Sequence, residues 1–117
     1  MSVLIGMTDK NTIVETQAYL KQAERIGISP EERAAIKLFL ADNPEAGDLI
    51  RGSGGVRKVR FALKGKGKSG GVRLFTFYWS VEHPLYLLTV IAKSKQANLT
   101  DAQVAVLAQI VKELKDG

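Results

Sequence analysis

The side chains best equipped for chemistry in this sequence are cations, and they are bunched. Between Asp48 and Glu82 there is no acid, while Arg51, Arg57, Lys58, Arg60, Lys64, Lys66, Lys68 and Arg73 all fall there. Lys58 and Arg60 are two apart, and on a strand such residues project from one face, about 6.5–7 Å from each other. A pair of this kind holds two oxygens of one phosphate, or two adjacent phosphates. Arg73 opens the next apolar segment and can join them across a hairpin. Lys93 and Lys95 follow the last apolar segment and end on the same side if the strands form a regular meander. Arg offers phosphate a bidentate fork, whereas Lys is a compact point charge. Cutting RNA requires activation of a 2′-OH, stabilisation of a pentavalent phosphorane and protonation of the 5′-oxygen leaving group. Crowded Lys and Arg can supply all three if a Lys pKa is driven below its reference value of about 10.4. Phosphate binding without chemistry is the other reading of the same spacing.

The remaining residues exclude most alternatives. The chain has no Cys, which removes disulfides and thiolate chemistry. His83 is the single His, so paired-His catalysis and His-rich zinc sites are excluded, and beside Pro84 it reads as a turn residue. Gly65 to Lys68 lacks the spacing and following helix of a phosphate loop. Gly52, Gly54 and Gly55 precede a strand, unlike a dinucleotide fingerprint. The acids do not cluster at ligand spacing, so neither metal nor cofactor is expected. The net charge of +5 divides into +8 on the acid-free segment and −3 elsewhere. That asymmetry is the footprint of a polyanion-binding face, for which RNA, DNA and anionic lipid are all candidates. The absence of a basic amphipathic helix argues against lipid. No apolar run reaches the ~18–20 residues of a membrane span, and the N-terminus does not read as a signal peptide, so a cytoplasmic protein is expected.

The elements that must position the cations are legible from period and punctuation. At 117 residues, with 45% hydrophobic and 25% charged, the chain suits one globular domain over residues 11–117, preceded by a leader over 1–10. Asn11 to Thr16 suggests a short strand. Gln17 to Ile26 suggests a helix with Tyr19, Leu20, Ala23 and Ile26 on one face, ended by Gly27. Ser29-Pro30-Glu31-Glu32 is a capping box with Pro at the first helical position, and Asn43-Pro44 stops the helix that follows. Beyond Gly55 the period drops to two: Val59, Phe61 and Leu63 alternate with Lys58, Arg60 and Ala62. Lys64 to Gly71 reads as a hairpin connection. Val72 to Ser80 and Leu85 to Ile91 are apolar on both faces, as covered strands are, which places Phe75, Phe77, Tyr78 and Trp79 in the core. These three strands are expected to form an antiparallel meander. Thr100 with Gln103 starts a last helix, whose buried stripe is Val104, Leu107, Ile110, Val111 and Leu114. The expected architecture is α+β, in the order β-α-α-β-β-β-α.

The string Asn43-Pro44, Gly47-Asp48-Leu49-Ile50, Gly52, Gly54-Gly55, Arg57-Lys58-Val59-Arg60, Gly65 to Gly71, Arg73 and Leu87-Leu88-Thr89 through Lys93 resembles the HigB-type branch of the RelE/ParE toxin superfamily. The likeness extends from Asn11 to Leu114. It implies a RelE-like fold and the toxin of a type II toxin–antitoxin pair, an endoribonuclease that enters the ribosomal A site and cuts mRNA. The partners it implies are a small helix-turn-helix antitoxin, the ribosome and its message. By position the resemblance assigns catalytic roles to Lys58, Arg60, Arg73 and Lys93. Arg57, Lys64, Lys66, Lys68 and Lys95, as neighbouring cations, are expected to contact RNA or ribosomal RNA, although a solvated hairpin is the other reading of Lys64, Lys66 and Lys68. The chain departs from RelE at Ser94, where RelE has Arg, at Ile91, where the family has an aromatic, and in lacking a C-terminal Tyr. A ParE-like gyrase inhibitor and a non-catalytic RNA-binding module are the alternatives.

Overall fold

Local signals set the helix ends in the computed structural model, which describes residues 12–63 and 71–117. The leader over 1–10 and the residues Lys64, Lys66 and Lys68 lie outside the described residues. The elements are β1 (Ile13–Glu15), α1 (Gln17–Ile26), α2 (Pro30–Asp42), β2 (Asp48–Leu49), β3 (Val56–Ala62), β4 (Gly71–Tyr78), β5 (Leu85–Ala92) and α3 (Asp101–Asp116). Thr16 caps α1, accepting from the Tyr19 N–H at 3.1 Å, and its hydroxyl lies 2.9 Å from the Leu88 carbonyl, which ties the helix start to β5. Gly27 ends α1 at φ 91°, a conformation that suits a residue without Cβ. Reciprocal capping boxes start α2, at Ser29 and Glu32, and α3, at Thr100 and Gln103.

The sheet has the order β1-β5-β4-β3-β2. Strands β3, β4 and β5 form an antiparallel meander, β1 pairs parallel with β5, and β2 pairs antiparallel with β3. The mixed α+β architecture is as expected, but the element order gains a strand. Two residues are too few to show a period, so Asp48–Leu49 left no trace in the alternation pattern.

Two apolar clusters lie on opposite faces of the sheet. On one, Tyr19, Ala23, Ile36 and Leu40 from α1 and α2 pack against Val59, Val72, Leu74, Leu85, Leu87 and Val90. Burying each large side chain contributes about 1.5–3 kcal/mol. A bidentate ion pair fastens this face at its edge: Arg33 donates to both Glu15 oxygens, at 3.0 and 3.1 Å, and Lys37 lies 3.5 Å away. On the other face α3 stands without a second helix. Its Leu107 and Val111 pack on Val56, Phe75, Phe77, Leu88 and Ile91. Strand β4 is therefore covered on both sides, which explains its two-sided apolar sequence.

Trp79 corrects the expected core. Strand β4 ends at Tyr78, so the chain turns outward one residue later and leaves Trp79 47% exposed. There it stacks on the His83 ring at 4.4 Å, while Ser80 Oγ lies 2.7 Å from His83 Nδ1. His83 is a turn residue, as its neighbour Pro84 suggested.

Candidate functional site

Strand register decides whether the cations meet. Arg60 pairs directly with Arg73, and Lys58 pairs with Phe75. Directly opposed residues of an antiparallel pair share a face, with Cβ atoms about 4.5–5.5 Å apart, and diagonal neighbours are about 7–8 Å apart. Lys58, Arg60 and Arg73 therefore form one row on the α3 face of the sheet, beyond the apolar patch that α3 covers. Arg60 is exposed, and Lys58 and Arg73 are half-buried. Like charges placed opposite each other destabilise a sheet. Asp48 on β2 opposes Lys58, whereas Arg60 and Arg73 face each other with no carboxylate across from either in the β3–β4 pairing. Stability alone gives no reason for such a row.

The loops beside the row are built to hold it. Gly47 has φ +94°, and a Cβ there would fall 2.4 Å from the Lys58 carbonyl oxygen, so only glycine lets this loop lie against β3. Arg57 projects to the opposite face and donates from Nη1 to the Gly47 carbonyl at 3.1 Å. It stands apart from the row, because alternation along β3 sends neighbouring residues to opposite faces. Buried Ser53 organises the turn into β3, donating to the Ile50 carbonyl at 2.6 Å and accepting from the Val56 N–H at 2.9 Å. Lys115 clips α3 onto that turn through the Gly54 carbonyl, 3.2 Å away, with its ammonium 5.6 Å above the Phe77 ring. The Lys58 ammonium donates to Asn98 Oδ1 at 2.8 Å. Ser53 and Asn98 were missed from sequence. Ser53 carries a turn signal among glycines, but Asn98 carries none, since it meets Lys58 across 40 residues.

A cleft of about 500 Å³ runs beside Lys58 between α3 and the turn into β3, with Phe75, Val104, Asn98, Asp101 and Arg51 on its walls. Lys93 follows β5 directly, and its N–H donates to the Gly71 carbonyl at 3.1 Å. That bond extends the β4–β5 pairing by one residue and sets exposed Lys93 two positions along from Ile91, the partner of Arg73. Lys95 goes elsewhere, to a second cleft of about 500 Å³ at the end of α1, near Arg25, Leu63 and Val72. Among the described residues, no group of His, Cys, Asp or Glu is placed to hold a metal ion, and no helix is long and apolar enough to cross a membrane.

A five-stranded sheet clad by two helices on one face and one on the other, with a cation row on the part left open, defines a small RelE-like α+β domain. The family model for the RelE toxin of RelE/RelB toxin–antitoxin systems matches residues 13–116, and the chain belongs to that family. The fold is shared with a free-state mutant of the E. coli toxin RelE, at 16% sequence identity and a TM-score of 0.54, covering 89% of this chain and 97% of that one. The protein is thus a type II toxin, an endoribonuclease that inhibits translation and has an antitoxin as its partner.

Proposed function

We propose that this toxin is a metal-independent mRNA interferase of the HigB-type branch, which cuts message in the ribosomal A site with Lys58, Arg60, Arg73 and Lys93 around the scissile phosphate. One observation carries the reading: Arg60 lies directly opposite Arg73 on open sheet, with Lys58 one pair along and Asp48 of β2 reaching the row only opposite Lys58. As the 2′-oxygen attacks phosphorus and the bond to the 5′-oxygen breaks, the phosphorane gains negative charge. Fixed cations stabilise that charge more than the ground state, which is the condition for raising kcat. Arg73 grips the equatorial oxygens, while Lys58 and Arg60 anchor the phosphate and its neighbour. Lys93 closes the rim. The 2′-OH proton leaves to a base and the 5′-oxygen gains one from an acid, and the ribosome supplies the in-line alignment of the RNA.

In this reading Lys64, Lys66, Lys68 and Lys95 dock ribosomal RNA, and each phosphate neutralised on single-stranded RNA adds about −0.7 to the slope of log K against log salt. Arg57 is left out, since Gly47 engages it on the other face. The antitoxin is a small helix-turn-helix protein, and the toxin works in the cytoplasm. Mapping mRNA 5′ ends on ribosomes programmed with a defined message tests the proposal. Wild type, stripped by chelator beforehand, yields discrete cuts. Arg73→Ala slows them roughly 10²–10³-fold with no loss of melting temperature, the cost of losing one oxyanion-stabilising donor. Intact message accompanied by gyrase-linked DNA damage would overturn it in favour of a ParE-like toxin.

A further inference from the structure

We infer that Asn98 is a positioning residue for Lys58: its amide oxygen anchors the ammonium at the α3 side of the row, and does so without neutralising it. The inference rests on the proposed role of Lys58. A Lys side chain is long and flexible, and near Arg60 and Arg73 its charge is pushed away from the row by repulsion. The 2.8 Å bond from Nζ to Asn98 Oδ1 opposes that push. A hydrogen bond to an ionised donor is stronger than a neutral one, so a single amide suffices.

Asn98 is itself held. Gln96 Nε2 donates to the Asn98 carbonyl at 2.6 Å and to Gln103 Oε1 at 2.7 Å. Gln103 Oε1 also accepts from the Thr100 N–H at 2.8 Å, within the capping box of α3. The main chain carrying Asn98 is therefore tied to the start of α3, which sets the amide beside Lys58. Its chemistry also suits the site. A carboxylate at the same place would hold Nζ but cancel the charge that the phosphate needs, whereas an amide dipole leaves it whole. Asp48 opposes Lys58 on β2 and Asp101 lines the same cleft, yet among the described residues neither forms an ion pair with it.

Single-turnover cleavage on programmed ribosomes, with melting temperatures as the folding control, tests this in a cycle of Asn98→Ala, Lys58→Ala and the double variant. Asn98→Ala is expected to lower kcat roughly tenfold or more with KM nearly unchanged. In the Lys58→Ala background it changes the rate by no more than about twofold. Asn98→Gln, which keeps a neutral amide acceptor for Nζ, recovers most of kcat, whereas Asn98→Asp, which pairs with the ammonium and cancels its charge, does not. Full activity in Asn98→Ala beside a crippled Lys58→Ala overturns the positioning role and leaves the proposed function intact. An equal loss in both backgrounds also overturns it, because Asn98 would then act on RNA directly. So does an Asn98→Gln protein no faster than Asn98→Ala. A fully active Lys58→Ala removes the catalytic reading of Lys58 and the inference with it.

Discussion

The two faces of the sheet are clad unequally. Two helices and the Glu15–Arg33 tie close one face, where Val59, Val72, Leu74, Leu85, Leu87 and Val90 of the strands form the apolar cluster under α1 and α2. The other face carries one helix, and the strands that β4 shares with both faces change character where α3 stops: Phe75 and Phe77 lie under it, Arg73 beyond it. The closed face does the work of stability. The open end gives some of it up, by setting Arg60 against Arg73, and gains a concentrated positive potential at a fixed spacing. Substitutions on the two faces should therefore separate folding from activity.

The largest effect on stability is expected from the closed face. Leu74→Ala removes a fully buried side chain between β4 and the α1–α2 layer and should cost about 2–5 kcal/mol in denaturant unfolding. Its cleavage loss should track the unfolded fraction alone. Gly47→Ala comes next. It forces a Cβ into the Lys58 carbonyl at a positive φ, a strain of about 1–3 kcal/mol, and the shift of β3 that relieves it should slow cleavage beyond what stability explains.

Changing pH separates the faces without mutation. Burial raises the Glu15 carboxyl pKa, but the Arg33 hydrogen bond and charge, with Lys37, outweigh it and bring it below the ordinary 4.5. That stabilisation is present above the unfolded value and is lost as pH falls through the lower, folded one. Burial, reinforced by Glu15, pushes the Tyr19 phenol up to about 12. Its contribution is present below the unfolded value, about 10, and is lost as pH rises toward 12. Melting temperatures of wild type should fall at both extremes, and Glu15→Gln should flatten the acid limb. The smallest stability effect belongs to Arg60→Gln on the open face, which should gain a few tenths of a kcal/mol by relieving the like-charge pair while cleavage drops.

Caps and periods made much of this legible. Ser29, Thr100 and Gly27 mark helix ends through local hydrogen bonds and backbone geometry that neighbouring residues determine. The spacing of Lys58 and Arg60 put them on one face for the same reason. Their meeting with Arg73 depends on hairpin register, a property of pairing rather than of either strand alone. Two-residue β2 and the outward turn at Trp79 are tertiary outcomes without a local signature. Asn98 is the clearest gap, since nothing within its own segment distinguishes it from any loop amide.

Whether Arg60 and Arg73 act on the same phosphodiester is tested most directly by a double-mutant cycle in single-turnover cleavage of ribosome-bound message. If both guanidinium groups grip one phosphate, Arg60→Ala and Arg73→Ala together lose much less than the product of their separate losses, with a coupling of about 0.5–3 kcal/mol. Losses that multiply would mean that the two strands serve separate sites, and would contradict a shared grip.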